Sequence, residues 1–256
     1  MSKRASSGLY DASFERDSCG FGLIANIDDN ASRWVLETAI AALARLTHRG
    51  AVAADGKTGD GCGLLIKFPE SFLRAVGSEL GMNLAERFAA GTVFLSQEEE
   101  LASRVRNEID AAIRSLDLEV AGWREVPVNP EACGELALES LPRIEQVFVN
   151  APPGMPRGAF NRTLFLARRR AENGLEALDP TAYVASLSSA TISYKGMVMP
   201  EILSEFYADL RDPRLETSVC LFHQRFSTNT MPEWRLAQPF RFLAHNGEIN
   251  TIQGNR

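Results

Sequence analysis

Four cysteines and three histidines carry most of this chain's chemical potential, and their spacing limits what they can do. Cys19, Cys62, Cys133 and Cys220 fall far apart, with no C-x-x-C pair. That pattern disfavours a zinc ribbon or a disulfide framework and suits a reducing cytoplasm, so cysteine chemistry must rest on a single thiol. His48, His223 and His245 are equally scattered and offer no H-E-x-x-H pair; they read as structural histidines, with no metal expected. The glycine-rich GKTGDG at 56–61 lacks the order G-x-x-x-x-G-K-[ST], and it precedes a strand where a phosphate loop would follow one. It reads as a tight connecting turn. Cys19 lies in DSCGFG, between a polar leader and an apolar run. A small buried residue at a strand start is the commoner meaning of such a cysteine. The other meaning is a nucleophile, since a thiol with a pKa near 8.5 becomes competent once a base adjoins it.

The elements that would position these residues follow from hydrophobic periodicity. Residues 20–27 (GFGLIANI) predict a short buried strand directly after Cys19. A helix follows, with Ser32 as N-cap and apolar positions at Val35, Leu36, Ala39, Ile40, Leu43 and Leu46, stopping near Gly50. Residues 54–63 read as a loop leading into a strand at 64–68. Ser96 to Glu99 predicts a capping box ahead of a helix running to about Leu116. A strand is expected at 144–150, a surface loop at 151–158 and a helix at 162–173. Further strands are expected at 182–187, 191–195 and 218–224, with a helix near 201–210 and another opening after Asn246-Gly247. Alternating strands and helices without a regular βαβ rhythm predict a layered α+β fold, not a doubly wound sheet.

Of 256 residues, 45% are hydrophobic and 23% charged, which is globular composition. The net charge of −6 argues against a nucleic-acid or anionic-lipid partner, both of which want a clustered basic surface. The one basic cluster, Arg168-Arg169-Arg170, reads as the solvated face of a helix. No apolar run approaches the roughly 20 residues needed to span a bilayer, so no membrane partner is expected. Residues 1–18 contain no hydrophobic core of a secretory signal.

Longer strings add a second kind of information. RLTHRGAVAADGKTGDGCG at 45–63, SLSSATISYKGMVMP at 186–200, HQRFSTNT at 223–230 and LAHNGEINTIQGNR at 243–256 accompany Cys19. Together they resemble the amino-terminal class II glutamine amidotransferase domain of glutamate synthase large subunits, an N-terminal nucleophile hydrolase. The similarity runs from about Gly8 to Arg256. One departure is Cys62, where GDGAG would be expected; one small residue replaces another.

The resemblance implies a four-layer αββα sandwich, incomplete at the carboxy end, over residues 19–256, with residues 1–18 as a propeptide. It implies that Cys19 is the nucleophile and, once freed, that its own α-amino group (pKa about 7.7–8.0) serves as base. It assigns Asn246 and Gly247 to the oxyanion hole, Arg225 to the glutamine α-carboxylate and, as an added hydroxyl contact, Thr228. A guanidinium can bind a carboxylate through two parallel hydrogen bonds, which lysine cannot do. The family's aspartate for the α-amino group has no match here. The implied activity is glutaminase, in the cytoplasm, its ammonia travelling through a tunnel to aminate 2-oxoglutarate. No cofactor is expected in this segment; FMN and a 3Fe-4S cluster would belong to the full-length protein. Its partners would be the remaining synthase domains and either an NADPH-oxidising small subunit or ferredoxin. Two rivals stand beside this reading. One is another N-terminal nucleophile hydrolase acting on a different amide; the other is an inactive fragment or a regulatory or interaction module.

Overall fold

A computed structural model describes residues 20–224 and 232–240. The described residues form a layered α+β structure with two four-stranded antiparallel sheets and six α-helices. The first sheet has the order β1 (Phe21–Ala25), β8 (Val219–Gln224), β2 (Thr58–Lys67), β7 (Thr191–Val198). The second has the order β4 (Glu119–Glu125), β5 (Arg143–Asn150), β3 (Phe88–Leu95), β6 (Tyr183–Val184).

In the second sheet β3 is buried along its whole length. Its even positions, Phe88, Ala90 and Phe94, join the larger core; its odd positions, Ala89, Val93 and Leu95, join a smaller one. That smaller core is completed by Val105, Ile109 and Ala112 of α3 (Glu99–Arg114) and by Phe160, Leu164 and Ala171 of α5 (Arg157–Leu178). Burial on both faces removes the polar alternation that would betray a strand, and FAAGTVFL accordingly escaped the periodicity reading. In the first sheet Leu64 lies opposite Phe222 and Tyr194, and Ile66 opposite Cys220 and Ile192. These residues share the larger core with Val35, Leu36, Ala39 and Leu43 of α1 (Arg33–Ala44) and with Phe72, Leu73 and Val76 of α2 (Glu70–Glu79). The opposite face carries the row Leu23–Leu221–Leu65, of which Leu23 is 59% exposed.

A buried polar network ties the sheets together. Arg124 of β4 pairs with Asp209, donates from Nε to Gln146 of β5 at 2.8 Å, and shares Asp209 with the hydroxyl of Tyr194 of β7, which donates at 2.9 Å.

Several expectations hold and several need correction. Ser32 caps α1, its hydroxyl accepting from the Val35 amide at 3.4 Å. The surface loop after β5 is present, and α5 is longer than the 162–173 expected. The loop expected over 54–63 is largely strand, because β2 begins at Thr58; its glycines serve close packing, as shown below. The capping box does not form. Ser96 accepts from the Glu98 amide, while the Glu99 carboxylate is drawn to the guanidiniums of Arg106 and Arg143, a stronger charge-assisted pairing. The helix expected near 201–210 is broken into a 3-10 turn at Pro200–Ile202, the four-residue α6 (Leu203–Phe206) and a second 3-10 turn at Ala208–Arg211. The break lets Asp209 turn inward to Arg124. In the Arg168–Arg170 cluster, Arg169 is solvated, but the Arg168 side chain is only 18% exposed and pairs with Glu172.

Candidate active site

β1 and β8 run antiparallel from Phe21↔His223 to Ala25↔Val219, and the pairing continues one step further. The Gln224 amide donates to the Gly20 carbonyl at 2.5 Å. Cys19 and Arg225 are therefore attached to the paired ends of neighbouring strands. Cys19, Arg225, Thr228, Asn246 and Gly247 themselves lie outside the described residues, as does the helix expected after Gly247. The described residues show the frame on which they are mounted. In that frame Gly20 admits a backbone carbonyl and Gly22 an aromatic ring. A Cβ on Gly20 would stand 2.5 Å from the Gln224 carbonyl oxygen, and one on Gly22 would collide with the Phe222 ring.

A second strand end closes on the same place. Gly50, in the loop after the 3-10 turn Thr47–Arg49, lies so close to Gln224 that a Cβ there would collide with Nε2 and approach Asp60 Oδ1 to 3.0 Å. The amide of Asp60 donates to the Ala51 carbonyl at 3.2 Å, fixing this loop to the start of β2. Asp60, His223 and Gln224 are all buried. Gly50, Asp60 and Gln224 thus pack together at the end of the first sheet where β8 meets Gly20.

The glycines of GDGCG take up a crossing chain. A Cβ on Gly61 would stand 3.1 Å from Ala237 Cβ, and one on Gly63 would stand 2.8 Å from the Gln238 carbonyl oxygen. Residues 237–238 therefore lie directly on β2. The same segment wraps the edge strand β7. Trp234 packs against Gly196 and donates from Nε1 to the Ala137 carbonyl at 3.2 Å. Lys195, which points to the opposite face of β7 from Gly196, donates from Nζ to the Arg235 carbonyl at 3.0 Å. Its ammonium also lies over the rings of Tyr183 (4.8 Å) and Phe240 (4.6 Å).

The electrostatics separate the cysteines. Burial raises the thiol pKa of Cys62, Cys133 and Cys220, that of Cys133 to about 11. Cys62 also donates to the Val198 carbonyl at 3.2 Å. All three stay protonated at neutral pH and are poor nucleophiles and poor metal ligands, both of which require the thiolate. Among the described residues no group of three or more His, Cys, Asp and Glu is gathered as a metal site. Of the histidines, His223 stacks with Phe21 (centroids 6.4 Å apart, planes 6° apart), and His48 Nδ1 lies 3.1 Å from the Arg45 carbonyl. His245 lies outside the described residues.

Sequence reasoning missed Gly50, Asp60, Gln224 and Lys195 as parts of this frame. One signal was available, the glycines at alternate positions within an otherwise strand-like stretch, which mark a close backbone approach.

Residues 19–256 match the family model of glutamine amidotransferases class-II. The chain belongs to that family. It is 42% identical to the large chain of glutamate synthase [NADPH] of Bacillus subtilis (strain 168), over 97% of this chain and 16% of that protein. It is also 42% identical to the corresponding large chain of Azospirillum brasilense, over 96% of this chain and 16% of that one. Against ferredoxin-dependent glutamate synthase 2 of Synechocystis sp. the identity is 42% over 94% of this chain and 15% of the relative. This amidotransferase thus spans about a sixth of the length of those relatives. No helix among its described residues is long and apolar enough to cross a membrane.

Proposed function

We propose that the chain hydrolyses L-glutamine to glutamate and ammonia through a γ-glutamyl thioester on Cys19, as the glutaminase part of a glutamate synthase. The sulfur attacks the side-chain amide carbon while the Cys19 α-amino group takes the thiol proton. Asn246 and the Gly247 amide donate to the oxyanion that forms. When this intermediate collapses the C–N bond breaks, and the α-amino group returns the proton to the departing nitrogen as ammonia forms. Water then adds to the thioester, giving its proton to the same amine; glutamate leaves and the thiol is restored. Arg225 holds the α-carboxylate throughout, with Thr228 beside it. This assignment needs Cys19 to begin the mature chain, because while Ser18 is attached its nitrogen is an amide and cannot accept a proton. Residues 1–18 are then a propeptide.

The observation that carries the proposal is the pairing of Gly20 with Gln224, which sets the strand ends bearing Cys19 and Arg225 side by side. A nucleophile and a carboxylate grip have to converge in this way. The raised thiol pKa values of the three described cysteines support Cys19 as the reactive one. In a protein the size of the relatives, the ammonia would aminate 2-oxoglutarate, with electrons from NADPH or ferredoxin. The FMN and 3Fe-4S cluster of that step are proposed for parts outside this segment, and a cytoplasmic location goes with the same reading.

The test is covalent labelling with 6-diazo-5-oxonorleucine, read by intact mass and peptide mapping. The active protein is expected to begin Cys-Gly-Phe-Gly and to carry the label on Cys19. Cys19→Ala should lose both label and ammonia release. An active preparation that still begins at Met1, or glutaminase activity of Cys19→Ala within about tenfold of wild type, would overturn the reading. Faster release of ammonia from asparagine or from acylated amines would turn it toward another amide.

A further inference from the structure

Lys195 is a fully buried side chain whose amino group meets one backbone carbonyl and two ring faces. It is 1% exposed, on the edge strand of the first sheet. Its strand partner in β2 is Gly63, which leaves room for residues 237–238 to lie across the sheet beside it. The crossing segment is held from both sides of β7. Trp234 is fixed on one face by Gly196, Phe94 and Phe206. On the other face Lys195 ties the segment through its bond to the Arg235 carbonyl, with the Phe240 ring over its amino group. Arg235 lies midway in the sequence between Arg225 and Asn246.

We propose that Lys195 is a positioning residue for the glutamine site, clamping residues 232–240 across the sheet and so setting the stretch of chain that carries Arg225 at one end and Asn246-Gly247 at the other. This rests on the glutaminase reading above. The neighbouring charges give the clamp a pH dependence. Arg168 of α5 faces Lys195, Tyr183 of β6 lies under it, and Arg235 is engaged with Glu233 in the crossing segment. His223 of β8 lies further along the same row, opposite Gly63. Burial, and then the Arg168 charge, lower the Lys195 pKa to about 7. Lifting the segment would hydrate the amine and restore its ordinary value near 10.4. Docking therefore releases a proton between these values, and the segment is held more firmly as pH rises through that window.

Lys195→Met keeps an unbranched side chain one atom shorter and removes its donor and its charge. Hydrogen exchange of the 232–240 amides, corrected for intrinsic rates, is expected to show protection rising with pH between 7 and 9 in the wild type, by up to about tenfold per pH unit. In Lys195→Met that dependence should vanish, and kcat/KM for glutamine should fall about tenfold. The variant should melt no lower than wild type at pH 7, since a buried charge has been exchanged for an apolar group of similar size. Phe240→Leu provides a second probe, expected to lower protection of the segment while keeping its pH dependence. Equal protection and equal pH dependence in wild type and Lys195→Met would overturn the proposal. If Lys195→Met does not fold, unchanged protection in Phe240→Leu would overturn it. Exchange does not depend on catalysis, so a failure of the glutaminase reading shows separately, as a wild type that 6-diazo-5-oxonorleucine does not label.

Discussion

Substituting Gly63 by alanine tests the frame of the site with a single methyl group. Cross-strand Cβ atoms normally stand about 4.5–5.5 Å apart. A Cβ at position 63 would stand 2.5 Å from Lys195 Cβ, 2.7 Å from the Tyr194 carbonyl oxygen and 2.8 Å from the Gln238 carbonyl oxygen. None of these is the free end of a flexible side chain. Two belong to the hydrogen-bonded neighbour β7 and the third to the crossing chain, so β7 and residues 237–238 both have to shift away from β2. Overpacking of this kind costs about 1–3 kcal/mol. At about 2–4 °C per kcal/mol for a domain of this size, the melting temperature should fall by about 2–12 °C. Ammonia release should fall further than that loss of stability explains, because the displaced segment leads from Arg225 to Asn246. Gly158→Ala is the control. Nothing lies within 4 Å of a Cβ there, in the first turn of α5, and the change should stabilise by about 0.4–1 kcal/mol. Thermal melts and glutaminase rates on the three proteins decide the matter. A Gly63→Ala protein that melts and turns over like wild type would show that the crossing chain does not rest on β2 as described.

Three further outcomes are expected. Asp209→Ala should cost about 3–5 kcal/mol in urea unfolding, because it strands the buried Arg124 guanidinium, while Arg124→Met/Asp209→Leu should recover most of that; a loss below about 1 kcal/mol for the single variant would contradict the network. Arg225→Lys should raise KM for glutamine more than it lowers kcat, whereas Asn246→Ala should lower kcat with little change in KM; identical signatures would mean that one role is misassigned. Between about pH 7 and 10.5 the unfolded chain holds a proton on Lys195 that the folded protein lacks, so wild-type stability should rise with pH relative to Lys195→Met, by up to about 5 kcal/mol across the window. Urea titrations at pH 6.5, 8 and 9.5 would sink this if the difference between the two proteins stayed constant.

Much of the scaffold was legible because its signals are local. The Ser32 cap with its apolar stripe, the run after Cys19 and the Pro/Gly break after Asn150 each announce an element within a few residues. The omissions have a common cause. β3 is buried on both faces, so its sequence lacks the alternation that marks a strand. The capping box failed because Glu99 found two arginines, one of them on β5 and far away in sequence. The helix near 201–210 broke because a tertiary contact, Asp209 to Arg124, outweighed local periodicity. Propensity and pattern carry no knowledge of such distant partners.

The site was legible in a different way. Its proposed actors came from family strings, while its frame was hidden in glycines whose purpose is tertiary. In a strand, residues two apart share a face, so a strand-like stretch with glycine at alternate positions leaves one face bare of side chains. Gly20 and Gly22 bring β1 against Gln224 and Phe222, and Gly61 and Gly63 admit residues 237–238 onto β2. Each bare strip lies where another part of the chain approaches closely, the Gln224 and Gln238 carbonyls at Gly20 and Gly63 and the Phe222 ring at Gly22, and each adjoins a segment that carries a proposed catalytic or binding residue. Glycine loses more conformational freedom on folding than any other residue and weakens a strand. Four of them beside one sheet end are therefore retained for what they let through: the chain that leads to Arg225 at one margin and the chain that leads to Asn246 at the other.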